Sequence, residues 1–446
     1  MKRAKVIALT AGFVFIMAAI GVQALIPYFT RDTHTTKVST WVRTDLGLLQ
    51  EVDGEARPYQ GKVKRGREIF IREGCWYCHS MYVRPVAGED RRWGPVSQAG
   101  EYAYDIPHTM STRRIGPDII REGGKYGDDW HRAHFFNPRL VVPDSIMPGF
   151  PWFYKKYEKP AEEEQEEAGR KLTEGERQRV LPVESEFVPN EDGEAVIAFV
   201  QFLGMNRGKW RNAYISRLAG EGSNAIADNA SLARGKKSFN RRCAGCHGKD
   251  GKGDGPAARF FRKVKPRNFT RGVFKFRSTP TGSLPLDTDL YRTITIGVRG
   301  TAMPPWNMLP ESERWDIIQY IKTFSPAFKK EKPGKPVYVP EAPEPTPAML
   351  ARGKNLYEKF QCWQCHAKDG EGDGPAAVGM TDDLGNPILP ANFTNGQWKV
   401  GPRPGDIFRT LMTGLNGTPM PSYRSFLQSE SDTWALSYYV LSFAAE

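Results

Sequence analysis

Cys75-Trp76-Tyr77-Cys78-His79, Cys243-Ala244-Gly245-Cys246-His247 and Cys362-Trp363-Gln364-Cys365-His366 repeat one pattern, and they use all six cysteines of the 446-residue chain. Cys-x-x-Cys-His is the attachment signal for c-type haem. Two thiols form thioethers to the haem vinyl groups, and the adjacent histidine becomes the proximal iron ligand. A spacing of two lets both sulfurs reach one porphyrin edge while the histidine turns beneath it. Other uses of the cysteines fit poorly. A zinc site would need two ligand pairs close together, whereas these lie over a hundred residues apart. A thioredoxin-like pair does not require the following histidine. Disulfide staples suit small cysteine-dense domains, and six cysteines in this length are sparse. The pattern predicts three covalently bound haem c groups, held by Cys75, Cys78, Cys243, Cys246, Cys362 and Cys365.

The length sets a prior of two to four domains. Val6 to Ile26 is free of charge and long enough to cross a bilayer as a helix. Lys2, Arg3 and Lys5 precede it, which places the N-terminus in the cytoplasm by the positive-inside rule. Val22-Gln-Ala24 loosely fits a signal-peptide cleavage site, but the apolar stretch exceeds a usual signal core, so an uncleaved single-pass anchor is expected. Bacterial haem attachment occurs outside the cytoplasmic membrane, so the haem domains should be periplasmic, anchored to the inner membrane. The formal charge is +12. Three haems would offset up to about six of those charges through their propionates. The remainder serves solubility or attraction to anionic lipid or an acidic donor surface. No nucleic-acid motif is present.

The second and third motifs open a long internal repeat. Cys243-Ala-Gly-Cys-His-Gly-Lys-Asp-Gly-Lys-Gly-Asp-Gly-Pro-Ala-Ala258 matches the stretch from Cys362 to Ala377. Pro266-Arg-Asn-Phe-Thr270 matches Pro390-Ala-Asn-Phe-Thr394, and Gly300-Thr-Ala-Met303 matches Gly417-Thr-Pro-Met420. A helix around Trp315, Ile318 and Ile321 is expected to match one around Trp434, Tyr438 and Leu441. Whole-unit repetition argues for two homologous domains. The first motif shares a skeleton with them. Each motif follows a short helix with Arg-Gly and then an aromatic: Arg65-Gly66 and Phe70, Arg234-Gly235 and Phe239, Arg352-Gly353 and Tyr357. Packing against haem and a C-terminal helix is the expected role of each aromatic.

The expected organisation is an anchor (1–30), a first cytochrome c domain (31–205) with a charged insertion near 158–179, and a linker (206–229). A second domain (230–325), a proline-rich linker (326–347) and a third domain (348–446) follow. The stretch from Ser325 to Pro347 holds seven prolines and predicts an extended, semi-rigid spacer. The fold class is mainly α: one transmembrane helix followed by three class I cytochrome c domains.

The sixth iron ligand decides the chemistry. Of seven histidines, those outside the motifs are His34, His108, His131 and His134, and none lies in the second or third domain. Those domains cannot supply two histidines to one iron. Met303 and Met420, each in a Gly-Thr-x-Met-Pro loop, are the expected partners of His247 and His366. Met308, Met380 and Met412 are the alternatives. In the first domain Met147 occupies the corresponding late loop and is paired with His79, with Met110, His131 and His134 as rivals. Met81 lies too near His79 to swing across the haem plane. A thioether ligand favours ferrous iron and a high potential, which suits electron transfer rather than oxygen activation.

Residues 66–153 resemble the membrane-anchored monohaem subunit of cbb3-type cytochrome c oxidases. The resemblance is carried by Gly66-Arg-Glu-Ile-Phe-Ile-Arg-Glu-Gly-Cys-Trp-Tyr-Cys-His-Ser80, Ala99-Gly-Glu-Tyr-Ala-Tyr-Asp105, Gly116-Pro-Asp118, Gly124-Lys-Tyr-Gly-Asp-Asp-Trp-His131 and Met147-Pro-Gly-Phe-Pro-Trp152. It implies an axial pair of His79 and Met147. Residues 230–446 resemble a dihaem class I unit. Unlike that family's separate dihaem subunit, no second membrane segment is visible here. The resemblance implies an electron-relay subunit serving a polytopic haem–copper catalytic subunit. Its donor would be a cytochrome c or a quinol-oxidising complex, and membrane lipid would surround its anchor. It implies no oxygen site of the chain's own, because the histidine cluster for copper is missing. Related nitric oxide reductases use a similar anchored subunit, and a multihaem shuttle is the other alternative.

Overall fold

The computed structural model describes residues 2–29, 35–43, 49–86, 88–156, 187–204, 231–262, 264–427 and 429–444. The expected charged insertion near 158–179 and the connection 206–229 lie outside these residues. The chain opens with the helix Lys2–Ile20, which runs on through a π-turn at Gly21–Leu25 into Ile26–Phe29. Arg3–Leu25 is long and apolar enough to cross a membrane, and its side chains are exposed. An antiparallel hairpin follows, pairing Lys37–Arg43 with Leu49–Glu55.

Three mainly helical units come next, built alike. In each, an opening helix crosses a closing helix: Gly61–Arg72 on Glu191–Phe202, Leu232–Arg242 on Glu311–Lys322, and Pro347–Lys359 on Glu430–Ser442. The Arg-Gly pair explains the crossing. A Cβ at Gly66, Gly235 or Gly353 would collide with the carbonyl of Ala195, Asp316 or Ala435 respectively. Only glycine lets the two backbones approach so closely. The preceding arginine then ties the helices from outside. Arg65 pairs with Asp192 at 2.7 Å, Arg234 with Asp316 at 2.7 Å, and Arg352 with Asp432 at 2.9 Å. One turn later the aromatic enters the core. Phe70 meets Phe199 at 5.3 Å, Phe239 meets Phe324 at 5.1 Å, and Tyr357 meets Tyr439 at 5.5 Å.

The closing helices correct one detail of the repeat. Asp316 and Ala435 hold equivalent places at the two glycine crossings. Ile318 therefore corresponds to Ser437, and Ile321 to Val440. Ile318, Ile321, Leu436 and Val440 are buried, whereas Tyr438 and Leu441 are half-buried. The sequence match was one residue out because Ser437 hides the period. Its hydroxyl donates to the Thr433 carbonyl within the helix and so needs no other partner.

The second and third units pack together. Arg292 of one, half-buried, and the buried Asp406 of the other form an ion pair at 2.8 Å. Arg277 Nη2 donates to the Thr413 carbonyl at 2.8 Å. The expected extended spacer instead opens with a short helix, Ala327–Lys330, because its prolines leave that turn free; residues 331–346 carry no regular structure, and the spacer is docked. Val337 N–H donates to the Ser278 carbonyl at 2.7 Å, and the Tyr438 hydroxyl donates to the Pro343 carbonyl.

Candidate haem sites

Each Cys-x-x-Cys-His sits on a short helical turn directly after its opening helix: Cys75–Tyr77, Ala244–His247 and Trp363–His366. The turn brings both cysteines and the histidine to one side. A backbone carbonyl then fixes each imidazole. Nδ1 of His79, His247 and His366 lies 2.9, 3.1 and 3.1 Å from the carbonyls of Pro117, Arg267 and Ala391. A carbonyl can only accept, so Nδ1 carries the proton and Nε2 keeps its lone pair for a metal. This explains two sequence motifs. Pro266-Arg-Asn-Phe-Thr270 and its repeat place the carbonyl and stack Phe269 on His247, or Phe393 on His366, each at 4.5 Å. In Gly116-Pro-Asp118 the glycine leaves room for the His79 ring, which a Cβ would strike. Burial lowers His247 and His366 to about 4, which keeps both rings neutral at physiological pH.

The methionine loops are held by hydroxyls. Met303 N–H donates to Thr301 Oγ1 at 3.1 Å, Met420 N–H to Thr418 Oγ1 at 3.2 Å, and Met147 N–H to Ser145 Oγ at 3.2 Å. One continuous cavity of about 370 Å³ serves the second and third units together. Cys243, Cys246, His247 and Met303 line it from one side, and Cys362, Cys365, His366 and Met420 from the other. Of the alternative methionines, Met380 also lines this cavity, Met412 does not, and Met308 is 58% exposed outside it. Met147 is half-buried and packs on the first core with Cys75 and Trp76. Met81 is buried in that core, and the Met110 carbonyl accepts from Met81 N–H. His131 and His134 lie on the helix Asp128–Phe136, where burial lowers them to about 4 and about 3.

The cavity's chemistry fits haem. Its wall is largely aromatic and aliphatic, yet Arg267, Lys275 and Lys399 also face it. Burial, with Arg267 nearby, lowers Lys275 to about 8. Cations in an apolar cleft are costly without counter-charge; Asp382 and Asp383 offset part of it for Arg267 and Lys275, and carboxylates such as haem propionates would offset more. Burial pushes the Cys243 and Cys246 thiols up to about 12 and Cys362 to about 11, so no thiolate competes for those cations. Sequence reading missed these cations and the shared cavity. A lysine near a haem motif has no distinctive spacing, and contact between distant loops leaves no period.

The fold and these ligand sets define a multidomain c-type cytochrome. Residues 2–174 match the family model described as cytochrome c oxidase, mono-haem subunit/FixO. Residues 230–321 match cytochrome c oxidase, cbb3-type, subunit III, and residues 350–444 match cytochrome c. The cbb3-type cytochrome c oxidase subunit FixP of Azorhizobium caulinodans is 26% identical over 245 residues, covering 52% of this chain and 68% of that protein. A chain of the Kuenenia stuttgartiensis reducing HAO-like protein complex is 45% identical, with a TM-score of 0.47, covering 48% of this chain and 97% of that one. The chain is an electron-transfer cytochrome c, similar to the monohaem subunit of cbb3-type oxidases over residues 2–174, to their subunit III over residues 230–321 and to cytochrome c over residues 350–444.

Proposed function

We propose that this chain carries three covalent haem c groups and relays electrons from a protein donor to the haem–copper catalytic subunit of a cbb3-type terminal oxidase. The match of residues 2–174 to the monohaem oxidase subunit carries this reading. Cys75 and Cys78, Cys243 and Cys246, and Cys362 and Cys365 hold the haems. His79 with Met147, His247 with Met303, and His366 with Met420 are the axial pairs. When bound, each haem supplies one reversible electron at iron, and a methionine ligand keeps its potential high.

The chain's own residues hold that chemistry in place. Backbone carbonyls fix the histidine tautomers, threonine or serine hydroxyls fix the methionine loops, and the aromatic walls exclude water. Lys275 and Lys399 offset charge inside the cavity. Val6 to Ile26 anchors the chain in the inner membrane, with the N-terminus cytoplasmic and the haem domains periplasmic. The first domain, next to the anchor, faces the catalytic subunit, and the second or third domain meets the donor.

Gentle detergent extraction tests the reading. The chain should copurify with a polytopic haem–copper subunit and oxygen-reducing activity, and its intact mass should exceed the polypeptide by three haems. Two or fewer haems in matured protein, or a solitary cytochrome after extraction, would overturn it.

A further inference from the structure

The first and second domains meet on a surface whose location is specific. On the second-domain side it includes the two loops that frame one candidate haem site, together with the turn Ala258–Phe260 and Phe261. Thr301 and Ala302 precede Met303, and Gly245 and Cys246 precede His247. Gly127 N–H donates to the Thr301 carbonyl at 3.0 Å. The Leu140 carbonyl lies where a Cβ on Gly245 would fall. Trp130, Ala133 and Val141 of the first domain form one buried cluster with Phe260, Phe261 and Ala302, and Cys246 packs against it. Phe261 and Ala302 also line the haem cavity, so the cluster reaches its wall.

The same helix reaches the other site from behind. On Asp128–Phe136, Phe135 belongs to the core against which Met147 packs, and Phe136 touches both clusters. His134 stacks on Trp130 at 4.4 Å and 16°, and Trp130 stacks on Tyr126 at 4.0 Å and 14°. Three parallel rings therefore run along this helix, with Trp130 inside the interdomain cluster and Tyr126 packed against it. His131 Nε2 and His134 Nδ1 are buried with no hydrogen-bond partner, and burial keeps both rings uncharged. A joint made for adhesion alone could use any surface. This one uses the cysteine and methionine loops of one site and the helix behind the other.

We infer that the Gly127–Thr301 contact and the His134–Trp130–Tyr126 stack form a fixed electron-passing joint between the first and second domains. The inference rests on the relay reading above and adds its internal connection. One electron leaves the reduced second domain and reduces the first; no bond is made and no proton moves. The donor protein supplies that electron. A built joint needs no docking search, so transfer across it should not depend on solvent viscosity. Gly127 has φ −77°, which suits any residue, so Gly127→Ala changes only the fit. Its Cβ would lie 2.6 Å from the Thr301 carbonyl oxygen.

The test is flash photoreduction of the full haem-loaded chain, following redistribution of the electron among the domains in buffer and in glycerol. Unmodified protein should show one fast second-to-first-domain phase that glycerol leaves unchanged. Gly127→Ala and Trp130→Leu should slow that phase severalfold and make it viscosity-dependent. Trp130→Phe should stay near the unmodified rate. Haem content and exchange between the second and third domains should not change in any of them, and the two Trp130 variants should also keep the midpoint potentials. A viscosity-dependent phase in unmodified protein would overturn the inference, as would unchanged kinetics in Gly127→Ala and Trp130→Leu. Should both variants misfold, hydrogen exchange of the Gly127 amide in unmodified protein decides: strong protection supports the joint, and exchange at a free-amide rate refutes it. Failure of the relay reading would appear instead as missing haem or no oxidase partner.

Discussion

Replacing Gly235 by alanine should destabilise the second domain, although alanine is the better helix former. In an exposed helix interior the change would gain about 1 kcal/mol. Here the new Cβ would fall on the Asp316 carbonyl, 2.7 Å from its carbon and 3.0 Å from Tyr320 Cβ. The obstacle is mostly backbone of the closing helix, so no side-chain rotation relieves it. Parting the two helices would loosen Phe239, fully buried against Tyr320 and Phe324, and stretch the Arg234–Asp316 pair. Overpacking of this kind costs about 1–3 kcal/mol and occasionally more. With the Cβ overlapping the Asp316 carbonyl oxygen the upper end applies, and after the propensity gain the net loss should be about 2 kcal/mol. Three domains need not unfold together, so a global melting curve would blur the effect. Hydrogen exchange of the Leu232–Arg242 and Glu311–Lys322 amides isolates it. Protection should fall there and stay constant in the third domain. Lys237→Ala, at an exposed site on the same helix, is the control. A gain in protection for Gly235→Ala, or no change, would refute the close-crossing argument.

Two further outcomes follow from charges around the shared cavity. Burial pushes the Asp406 carboxyl up, but Arg292, Arg403 and Arg409 outweigh it and hold the group below the usual carboxylate range. A depressed carboxyl contributes stability that is present above its unfolded value, about 4, and lost as pH falls through the folded one. Small-angle scattering should therefore show the second and third domains parting only well below pH 4, and parting at higher pH in Asp406→Asn. A cation in a low-dielectric cavity favours the reduced iron. Lys275→Met should therefore lower a midpoint potential in a spectroelectrochemical titration, and an unchanged or raised potential would remove Lys275 from the haem environment.

Much of the candidate site was legible because its chemistry is local. Cysteine spacing marks each attachment turn, and the Gly-Thr-x-Met repeat places Met303 and Met420 in the cavity with their histidines. The Arg-Gly pair was visible, but its meaning was not, since a glycine's use depends on the helix that crosses it. Likewise Pro266-Arg-Asn-Phe-Thr270 was seen as a repeat. Its role of presenting the Arg267 carbonyl to His247 is a backbone property that no side chain announces. The register of the last helix slipped by one because Ser437 is buried with its hydroxyl satisfied internally. The packing of the second domain on the third depends on isolated polar groups such as Arg292 and Asp406, more than a hundred residues apart. Periodicity cannot register such pairs.

The shared cavity also bears on how the protein is made. Cys243, Cys246, Cys362 and Cys365 all face a space closed by two domains, and burial keeps Cys243 and Cys246 as thiols up to about pH 12. Thioether formation needs those sulfurs accessible to an attachment apparatus. Loading of each half before the two domains pack would meet that need, and the contacts of Val337 with Ser278 and of Tyr438 with Pro343 would then form last.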